Sequence, residues 1–313
     1  MSIFNNCFIP VLAGLGLVLL TGCSEEMDVH TRSMDRCYLV VDAMLTDNAD
    51  DQQTVLLTES IDYFEDEKPP VVSGARVTVS DGKETYRYFE SPVGSGRYVG
   101  PEGFHGTPGG TYTLSIDAAV GGILNHYEAV STMEEMGFEL QAVDYLYLGA
   151  TMPQADSLWN VALWGLDKPQ ASAYYITARL NGADFPYGIS VILDDRYFNG
   201  QQVSCYPIMT LAQKEATRRQ YGACGKFLET GDIFTLKIYA VPREFCEFNA
   251  GFSNNGNGSG MPMLQSQPDN VPTNVTGGDA LGFFLTCSST STSVVVDDPF
   301  RPYYLKATAG LSK

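Results

Sequence analysis

The feature that most constrains this chain is an alternation of apolar and polar residues, in short runs separated by glycine. It begins at Cys37 and recurs in runs such as CYLVVDAML, QQTVLLTES, GRYVG, TYTLSIDA and ILNHYEAVSTM. Because successive side chains of a β-strand point to opposite faces, a period of two predicts strands that are buried on one side. The 31 glycines and 16 prolines supply residues for the turns. The sequence therefore predicts a mostly β protein.

The clearest local signal in the first part of the chain is a hairpin. Asp81-Gly82 stands between two alternating runs, RVTVS and TYRYFE, and an Asp-Gly pair favours the tight turn that joins antiparallel strands. About seven such strands follow one another in residues 37–137 without a helical pattern, which predicts an antiparallel β-sandwich of immunoglobulin-like type.

Residues 138–313 are predicted to form a second β-rich domain, with the boundary near Gly137. Removal of a leader over residues 1–22 leaves 291 residues, enough for two hydrophobic cores. Alternation predicts the strands of this domain, at LWNVALWG, AYYITARL, ISVILDD, FTLKIYAVP and LGFFLTCSSTSTSVVV, and places two tyrosines of the DYLYL run on one strand face (Tyr145 and Tyr147).

Two short helices are predicted to interrupt the second domain. The first runs from Thr210 to Tyr221, because Thr210 opens a capping-box spacing and Gly222 supplies a stop. The second runs from Arg243 to Phe252, with phenylalanines at i, i+3 and i+7 that favour a core-facing stripe (Phe245, Phe248 and Phe252). Residues 253–279 are rich in Asn, Gly and Pro and are predicted to form one long loop, which is either mobile or functional.

The N-terminal residues are predicted to be a targeting segment. Residues 8–20 are an apolar run of 13, long enough for a signal peptide but shorter than the ~20 residues that span a bilayer. The segment departs from the usual signal-peptide pattern in one respect, because no Lys or Arg occurs in residues 1–7, where a positively charged region is expected. The segment Leu19-Leu20-Thr21-Gly22-Cys23 resembles the bacterial lipobox, which implies lipidation of Cys23 and cleavage before it. Residues 23–36 then form a polar tether, and its opening Ser-Glu-Glu resembles an acidic signal for export to the cell surface in Bacteroidota.

The net charge of −18 is concentrated in the first predicted domain. Residues 37–137 hold 17 acidic and five basic side chains, a net −12. Such a field repels phosphate backbones, so nucleic acid is excluded as a partner, and attachment to a membrane must come from acyl chains. The acidity serves either solubility at a crowded surface or selection of a cationic ligand.

Five cysteines remain after Cys7 leaves with the signal peptide and Cys23 takes the lipid. An odd number leaves at least one thiol unpaired within the chain. Cys205 and Cys224 close the shortest loop, and a disulfide between them would stabilise the fold by ~3 kcal/mol. The alternative is that the cysteines are small buried hydrophobic residues.

Residues that could carry chemistry are sparse. No G-x-S-x-G elbow exists, and the three histidines, His30, His105 and His126, lie in unrelated segments. Four acidic clusters could bind calcium if folded together, or could be solvated faces; they lie at Glu65–Glu67, Asp50-Asp51, Asp194-Asp195 and Asp297-Asp298. We expect no catalytic site, no metal and no cofactor.

The order of several segments carries a family resemblance. These are Leu39-Val40-Val41, SGARVTVSDG (73–82), DSLW (156–159), DDRYFNGQ (194–201), GDIFTLKIYAV (231–241) and NVPTNVTGGDALGFF (270–284). Together they resemble the Bacteroidota lipoprotein family called domain of unknown function 4249. The sequence departs from the family pattern at Cys205–Gly225, where a helical insertion is predicted, and at Asp279, which interrupts a glycine-glycine-alanine run. The resemblance implies an outer-membrane lipoprotein that assists a TonB-dependent transporter.

Three classes of function follow from these observations. The first is a lipid-anchored, surface-exposed accessory that works with a TonB-dependent barrel in nutrient uptake, its ligand unidentified. The second is a free-standing glycan-binding or adhesion lipoprotein, which would use exposed aromatics such as Trp159, Trp164, Tyr174 and Tyr175, although the two tryptophans are predicted to face opposite sides of one strand. The third, an enzyme on a β scaffold, lacks any pairing of nucleophile and base.

Overall fold

The computed structural model describes residues 37–61, 68–149, 157–170, 172–184, 190–212, 228–256 and 272–306. All of them belong to one compact unit, Arg36–Lys313. Its elements are β1 (Leu39–Thr46), β2 (Thr54–Glu59), β3 (Arg76–Ser80), β4 (Thr85–Glu90), β5 (Arg97–Val99), β6 (Thr111–Val120), β7 (Ile123–Thr132), β8 (Phe138–Gly149), β9 (Leu158–Asp167), β10 (Ala173–Leu180), β11 (Ala183–Asp184), β12 (Ser190–Asp194), β13 (Gln202–Ala212), β14 (Ile233–Ala240), α1 (Arg243–Gly256), β15 (Val275–Thr276) and β16 (Ala280–Val295).

The mostly β fold predicted from the alternation is confirmed. In β6, every second side chain from Tyr112 to Val120 is buried, as a half-buried strand requires. The predicted hairpin is also present: β3 and β4 pair antiparallel, and Gly82 takes a positive φ of 83° in the turn. The side chain of Asp81 accepts hydrogen bonds from the backbone N–H groups of Lys83 and Glu84 and so closes that turn.

Hydrogen bonds connect thirteen of the described strands into one sheet system, in the order β11-β10-β14-β16-β1-β2-β5-β4-β3-β6-β7-β15, with β12 also paired to β10. A separate three-stranded sheet has the order β13-β9-β8. The central contact is parallel and joins distant parts of the chain: β1 pairs with β16 from Leu39 and Ala280 to Thr46 and Cys287. No local pattern encodes this pairing.

Two large hydrophobic cores lie along this system, together with smaller clusters such as the one on which α1 packs. The first core is built from β1 to β7 with Val275 and Phe284, and the second from β8, β9, β10, β13 and β14. Strand β16 serves both, since Phe284 is buried in the first core and Val294 packs against the second. Along the chain, the boundary between residues of the first core and residues of the second falls near Gly137, but the thirteen-stranded sheet system contains strands from both sides of that boundary. The division into two domains stays a prediction.

The predicted second helix is present as α1. It begins at Arg243 and extends four residues beyond the predicted end, to Gly256. Phe245 is buried, Phe248 is partly buried, and both rings contact Phe283 of β16. The prediction that this stripe faces the core is confirmed for these two phenylalanines. Within the described ranges, no helix combines the length and the apolar composition needed to cross a bilayer.

The predicted first helix is wrong where the structure describes it. Residues from Thr210 to Ala212 end strand β13, which pairs with β9 and places Leu211 opposite Trp159. Leu211 is fully buried in the second core, and this burial outweighs a local capping signal. The helical insertion expected from Cys205 is equally wrong up to Ala212; residues 213–227 lie outside the described ranges.

The predicted long loop over residues 253–279 needs a similar correction. Its first four residues belong to α1, and its end forms β15, which pairs with β7 through Val275 and Ala129. Val275 is buried in the first core. Residues 257–271 lie outside the described ranges.

Candidate functional site

A pocket of about 200 Å³ lies at the start of α1. Its polar lining comes from the link between β7 and β8, from the start of β10 and from α1: Glu134, Glu135, Ser172, Arg243 and Glu244. Hydrogen bonds to backbone carbonyl oxygens fix the β7–β8 link on one side of the pocket and the start of β10 on the other. Ser288 donates a hydrogen bond to the carbonyl oxygen of Glu134, and the Val241 N–H donates to Ala173.

The charge of this pocket is acidic. Three glutamates line it against one arginine, Arg243. The guanidinium of Arg243 is partly engaged, because its Nη1 lies 3.5 Å from Oδ2 of Asp194, to which Arg196 also pairs at 2.9 Å. A concave surface of this charge suits a small cationic or hydrogen-bond-donating group.

Next to the pocket-lining Ser172 lies a buried carboxylate, Asp195. Its Oδ2 accepts the backbone N–H of Ser172 at 2.5 Å, while its Oδ1 has no hydrogen-bond partner within the described part of the chain. Burial raises the pKa of Asp195, and the nearby charge of Asp167 acts in the same direction. Asp167 itself is satisfied by the hydroxyl of Tyr174 and the N–H of Gly200.

The segment 270–284, described from residue 272, locks three strands together. Asn274 accepts the N–H of Phe284 and donates to its carbonyl oxygen, and Thr273 donates to Gly282. Gly282 has a φ of 97°, and a Cβ there would collide with the backbone of Val41 on β1. Thr273 and Asn274 therefore hold the start of β16 in place, and the absence of a Cβ at Gly282 lets β16 lie against β1.

The same segments carry the relationship to a known family. A family profile described as "Domain of unknown function (DUF4249)" matches residues 24–293. The chain belongs to the DUF4249 family. No curated protein matches the sequence. The matched range of the DUF4249 profile starts directly after Cys23 and covers every element from β1 to β15 and most of β16.

The acidic pairs considered as calcium ligands lie in separate places of the DUF4249 chain. Asp51 pairs with the buried Lys237 of β14, Asp194 binds Arg196 and Arg243, and Asp297 accepts from Tyr145 and Arg301. Glu65–Glu67 lie outside the described residues. Within the described ranges, no three His, Cys, Asp or Glu side chains form a group that could hold a metal ion.

The histidines are likewise separate. His126 lies on β7 with its Nδ1 2.7 Å from Oδ1 of Asp117, and this hydrogen bond raises the pKa of His126. His105 contacts the carbonyl oxygen of Gly103 in a loop, and His30 lies outside the described residues. Asp117 and His126 are cross-strand neighbours on β6 and β7 with exposed side chains, so their contact is a surface pair.

The described thiols with shifted pKa values are held in their protonated form. Burial raises the pKa of Cys205 and of Cys287, and that of Cys246 to about 11, so these thiols are weak nucleophiles at neutral pH. Cys205 is partly buried beside Trp164 and Tyr304. Its predicted partner Cys224 lies outside the described residues, as does Cys23, so the disulfide and the lipidation stay predictions.

Most of the aromatic residues considered for a glycan platform are buried. Trp159 is fully buried and its indole N–H donates to the carbonyl oxygen of Pro299 at 2.7 Å. Trp164 packs on the opposite face of β9 against Tyr304, as the odd spacing predicted. Tyr174 is buried in the second core and Tyr175 is partly buried against α1. These side chains form no exposed platform.

Sequence reasoning missed a buried ion pair between Arg301 and Asp144. Arg301 is 2% exposed, and its guanidinium also lies 3.9 Å from the centre of the Tyr145 ring. The backbone of residues 297–306, which we call the C-terminal arm, follows β8: the Tyr147 N–H donates to the Arg301 carbonyl, and the Lys306 N–H to Asp144. One charge in each of two distant segments gives no sequence signal for such a pair.

Proposed function

We propose that the protein is a lipid-anchored, surface-exposed accessory of the outer membrane that works with a TonB-dependent transporter in nutrient uptake. The observation that carries this proposal is Cys23 at the end of a 13-residue apolar run and a lipobox-like segment. The family match beginning at residue 24 supports it, because the matched region then starts next to the residue to which the lipid would be attached. The signal peptide and palmitate-type acylation belong to the same proposal.

The transporter is proposed to meet the protein on the side of α1. Residues 257–271 connect α1, which packs on the fold through Phe245, to β15, which packs through Val275. A segment with a composition rich in Asn, Gly and Pro offers adaptable backbone contacts to a partner. The acidic pocket at the start of α1 is the concave surface that we propose for a cargo group.

The proposal favours a binding protein over an enzyme and over a glycan-binding adhesin. The described cysteines with raised pKa values are weak nucleophiles, and His126 pairs with a surface carboxylate. Trp159, Trp164 and Tyr174 are buried and stack on protein rather than on sugar rings. A binding role that uses loops and a pocket needs none of these groups.

Replacing the anchor cysteine tests the membrane part of the proposal. Cys23→Ala should release the protein from membranes, because acyl chains contribute ~0.8 kcal/mol per buried CH₂ and the acidic surface offers little attraction. Membrane fractionation at high salt measures the release. Cys37→Ala, which removes an exposed thiol 14 positions later, is the matched control and should stay bound. A Cys23→Ala protein that stays in the membrane fraction contradicts the anchor.

Replacing residues 257–271 by a short Gly-Ser linker tests the transporter part. Shortening this connection changes the free energy of loop closure by only ~1 kcal/mol, so the variant should unfold at a similar denaturant concentration. It should no longer co-purify a large outer-membrane barrel from gently solubilised membranes, whereas the intact lipoprotein should. Absence of any barrel with the intact lipoprotein refutes the partnership and leaves the anchor unaffected.

A further inference from the structure

Four large apolar side chains are exposed on the loops at one end of the first core. Val93 is 89% exposed, Leu124 73%, Ile123 66% and Val71 45%. Ile123 and Leu124 form the tip of the β6–β7 hairpin, where the chain turns through Gly121-Gly122 with positive φ at both glycines. We call these four residues the apolar end.

Strand registers show that the three loops belong to the same end. Glu59 pairs with Leu39 at the start of β1, and Thr58 pairs with Val71. The loop that carries Val93 returns beside them, since the Leu57 N–H donates to the carbonyl oxygen of Gly96.

The hairpin tip joins the same group through Gly121. Its N–H donates to the carboxylate of Glu59 at 3.0 Å. A Cβ built on Gly121 would lie 3.6 Å from the Cβ of Cys37. The apolar end is therefore also the end at which the folded unit receives the predicted tether.

The length of the tether links this end to the lipid. Residues 24–36 number 13, and a chain of this length reaches at most ~45 Å. The opposite end of the first core, at the β3–β4 turn, is farther away, because the eight residues from Thr113 to Val120 span ~23 Å along β6. Strand β16 leaves in that opposite direction, continuing past Cys287 to Val295 and the second core.

We propose that the apolar end rests on the membrane, with Ile123, Leu124, Val71 and Val93 inserted at the boundary between headgroups and acyl chains. This inference rests on the proposed lipid anchor. Two acidic side chains nearby are engaged by backbone N–H groups: Glu59 accepts that of Gly121, and Glu90 accepts those of Gly74, Gly94 and Gly96. Because the surrounding surface is acidic overall, the partner is a bilayer of neutral headgroups, and anionic lipid should not strengthen the contact.

Tryptophan quenching in the acylated protein tests this contact. The two native tryptophans are buried, so Leu124→Trp introduces an exposed reporter at the apolar end. In vesicles of brominated phosphatidylcholine its emission should fall about twofold or more relative to plain phosphatidylcholine. Lys83→Trp, in the exposed turn at the opposite end, is the matched control and should show no such loss.

A second pair of variants separates contact from mere proximity. Val93→Trp should be quenched in the same vesicles, and adding Ile123→Ser with Leu124→Ser should reduce that quenching, because the neighbouring apolar tip no longer inserts. Vesicle flotation of each variant reports the anchor independently. A protein that floats but shows equal emission in both lipids, or equal quenching at 83 and 124, overturns the inference while keeping the anchor. A protein that does not float overturns the anchor and, with it, this inference.

Discussion

At the scale of single residues, glycine conformation has the most direct energetic consequence. Gly282 and Gly82 both have a φ in the left-handed region, 97° and 83°. They differ in their surroundings: a Cβ on Gly282 meets the backbone of Val41, while a Cβ on Gly82 meets nothing within 4 Å. Comparing alanine variants of these two glycines therefore separates the cost of conformational strain from the cost of a steric clash.

We expect Gly282→Ala to destabilise the protein much more than Gly82→Ala. The conformational cost common to both is ~1–2 kcal/mol. Only Gly282→Ala must also displace the backbone of β1 from β16, so it should cost several times as much or prevent folding. Urea denaturation measures both variants. Equal losses would show that β1 moves aside without cost.

The buried carboxylate of Asp195 predicts a pH effect on stability. Its pKa is raised from 3.8 by burial, so between 3.8 and the raised value the folded protein holds a proton that the unfolded chain releases. This group therefore makes the free energy of unfolding fall as the pH rises through that window. Asp195→Asn keeps the acceptor for Ser172 and removes the titration.

We expect the stability of Asp195→Asn to fall less than that of the wild type as the pH rises from 3.8 through the raised pKa of Asp195, and to equal or exceed it above that pKa. Denaturant titrations at several pH values give the comparison. Asp81→Asn is a useful control, because backbone N–H groups lower the pKa of that exposed carboxylate, so its contribution to the pH dependence of stability has the opposite sign. Parallel curves for wild type and Asp195→Asn would contradict the prediction.

At the scale of elements, alternation predicted the long strands but failed where a strand is irregular. Strand β13 was missed because Cys205 has a φ of 54° and the register with β9 shifts between Val203 and Tyr206 and again between Pro207 and Met209. Each shift breaks the period of two on which the prediction depends. The capping-box spacing at Thr210 then indicated a helix, while tertiary burial of Leu211 favoured the strand.

The C-terminal arm is another element that sequence patterns could not place. Its position depends on the Arg301–Asp144 pair, on the Trp159 indole and on rings such as Phe300 against Tyr147. Each of these contacts spans about 140 or more residues of sequence. Local reasoning described Asp297-Asp298 only as an acidic pair, although Asp297 holds Tyr145 and Arg301 together.

We expect Arg301→Met to destabilise the protein by about 3–5 kcal/mol, because it leaves the carboxylate of Asp144 buried without its cation. The double variant Arg301→Met with Asp144→Leu should recover much of this loss, since neither charge then remains. Chemical denaturation of both variants completes the comparison. A single variant that loses less than about 1 kcal/mol would show that water reaches Asp144 freely.

At the scale of the whole molecule, the shared strand β16 predicts cooperative unfolding. Phe284 belongs to the first core and Val294 packs against the second, so one core cannot lose β16 without disturbing the other. We expect a single thermal transition in calorimetry. Leu114→Ala in the first core and Leu236→Ala in the second should each shift that same transition, by about 2–5 kcal/mol in stability. Two transitions that respond separately would support two independent domains.

The parallel pairing of β1 with β16 also has a kinetic consequence. Leu39 and Ala280 are 241 positions apart, so the thirteen-stranded sheet system cannot form completely until β16 has been synthesised. Contacts of such high sequence separation slow folding, because loop closure must precede the gain from packing. For the exported lipoprotein proposed here, this delay keeps the nascent chain open for translocation, at the cost of a longer exposure of unpaired strand edges to aggregation.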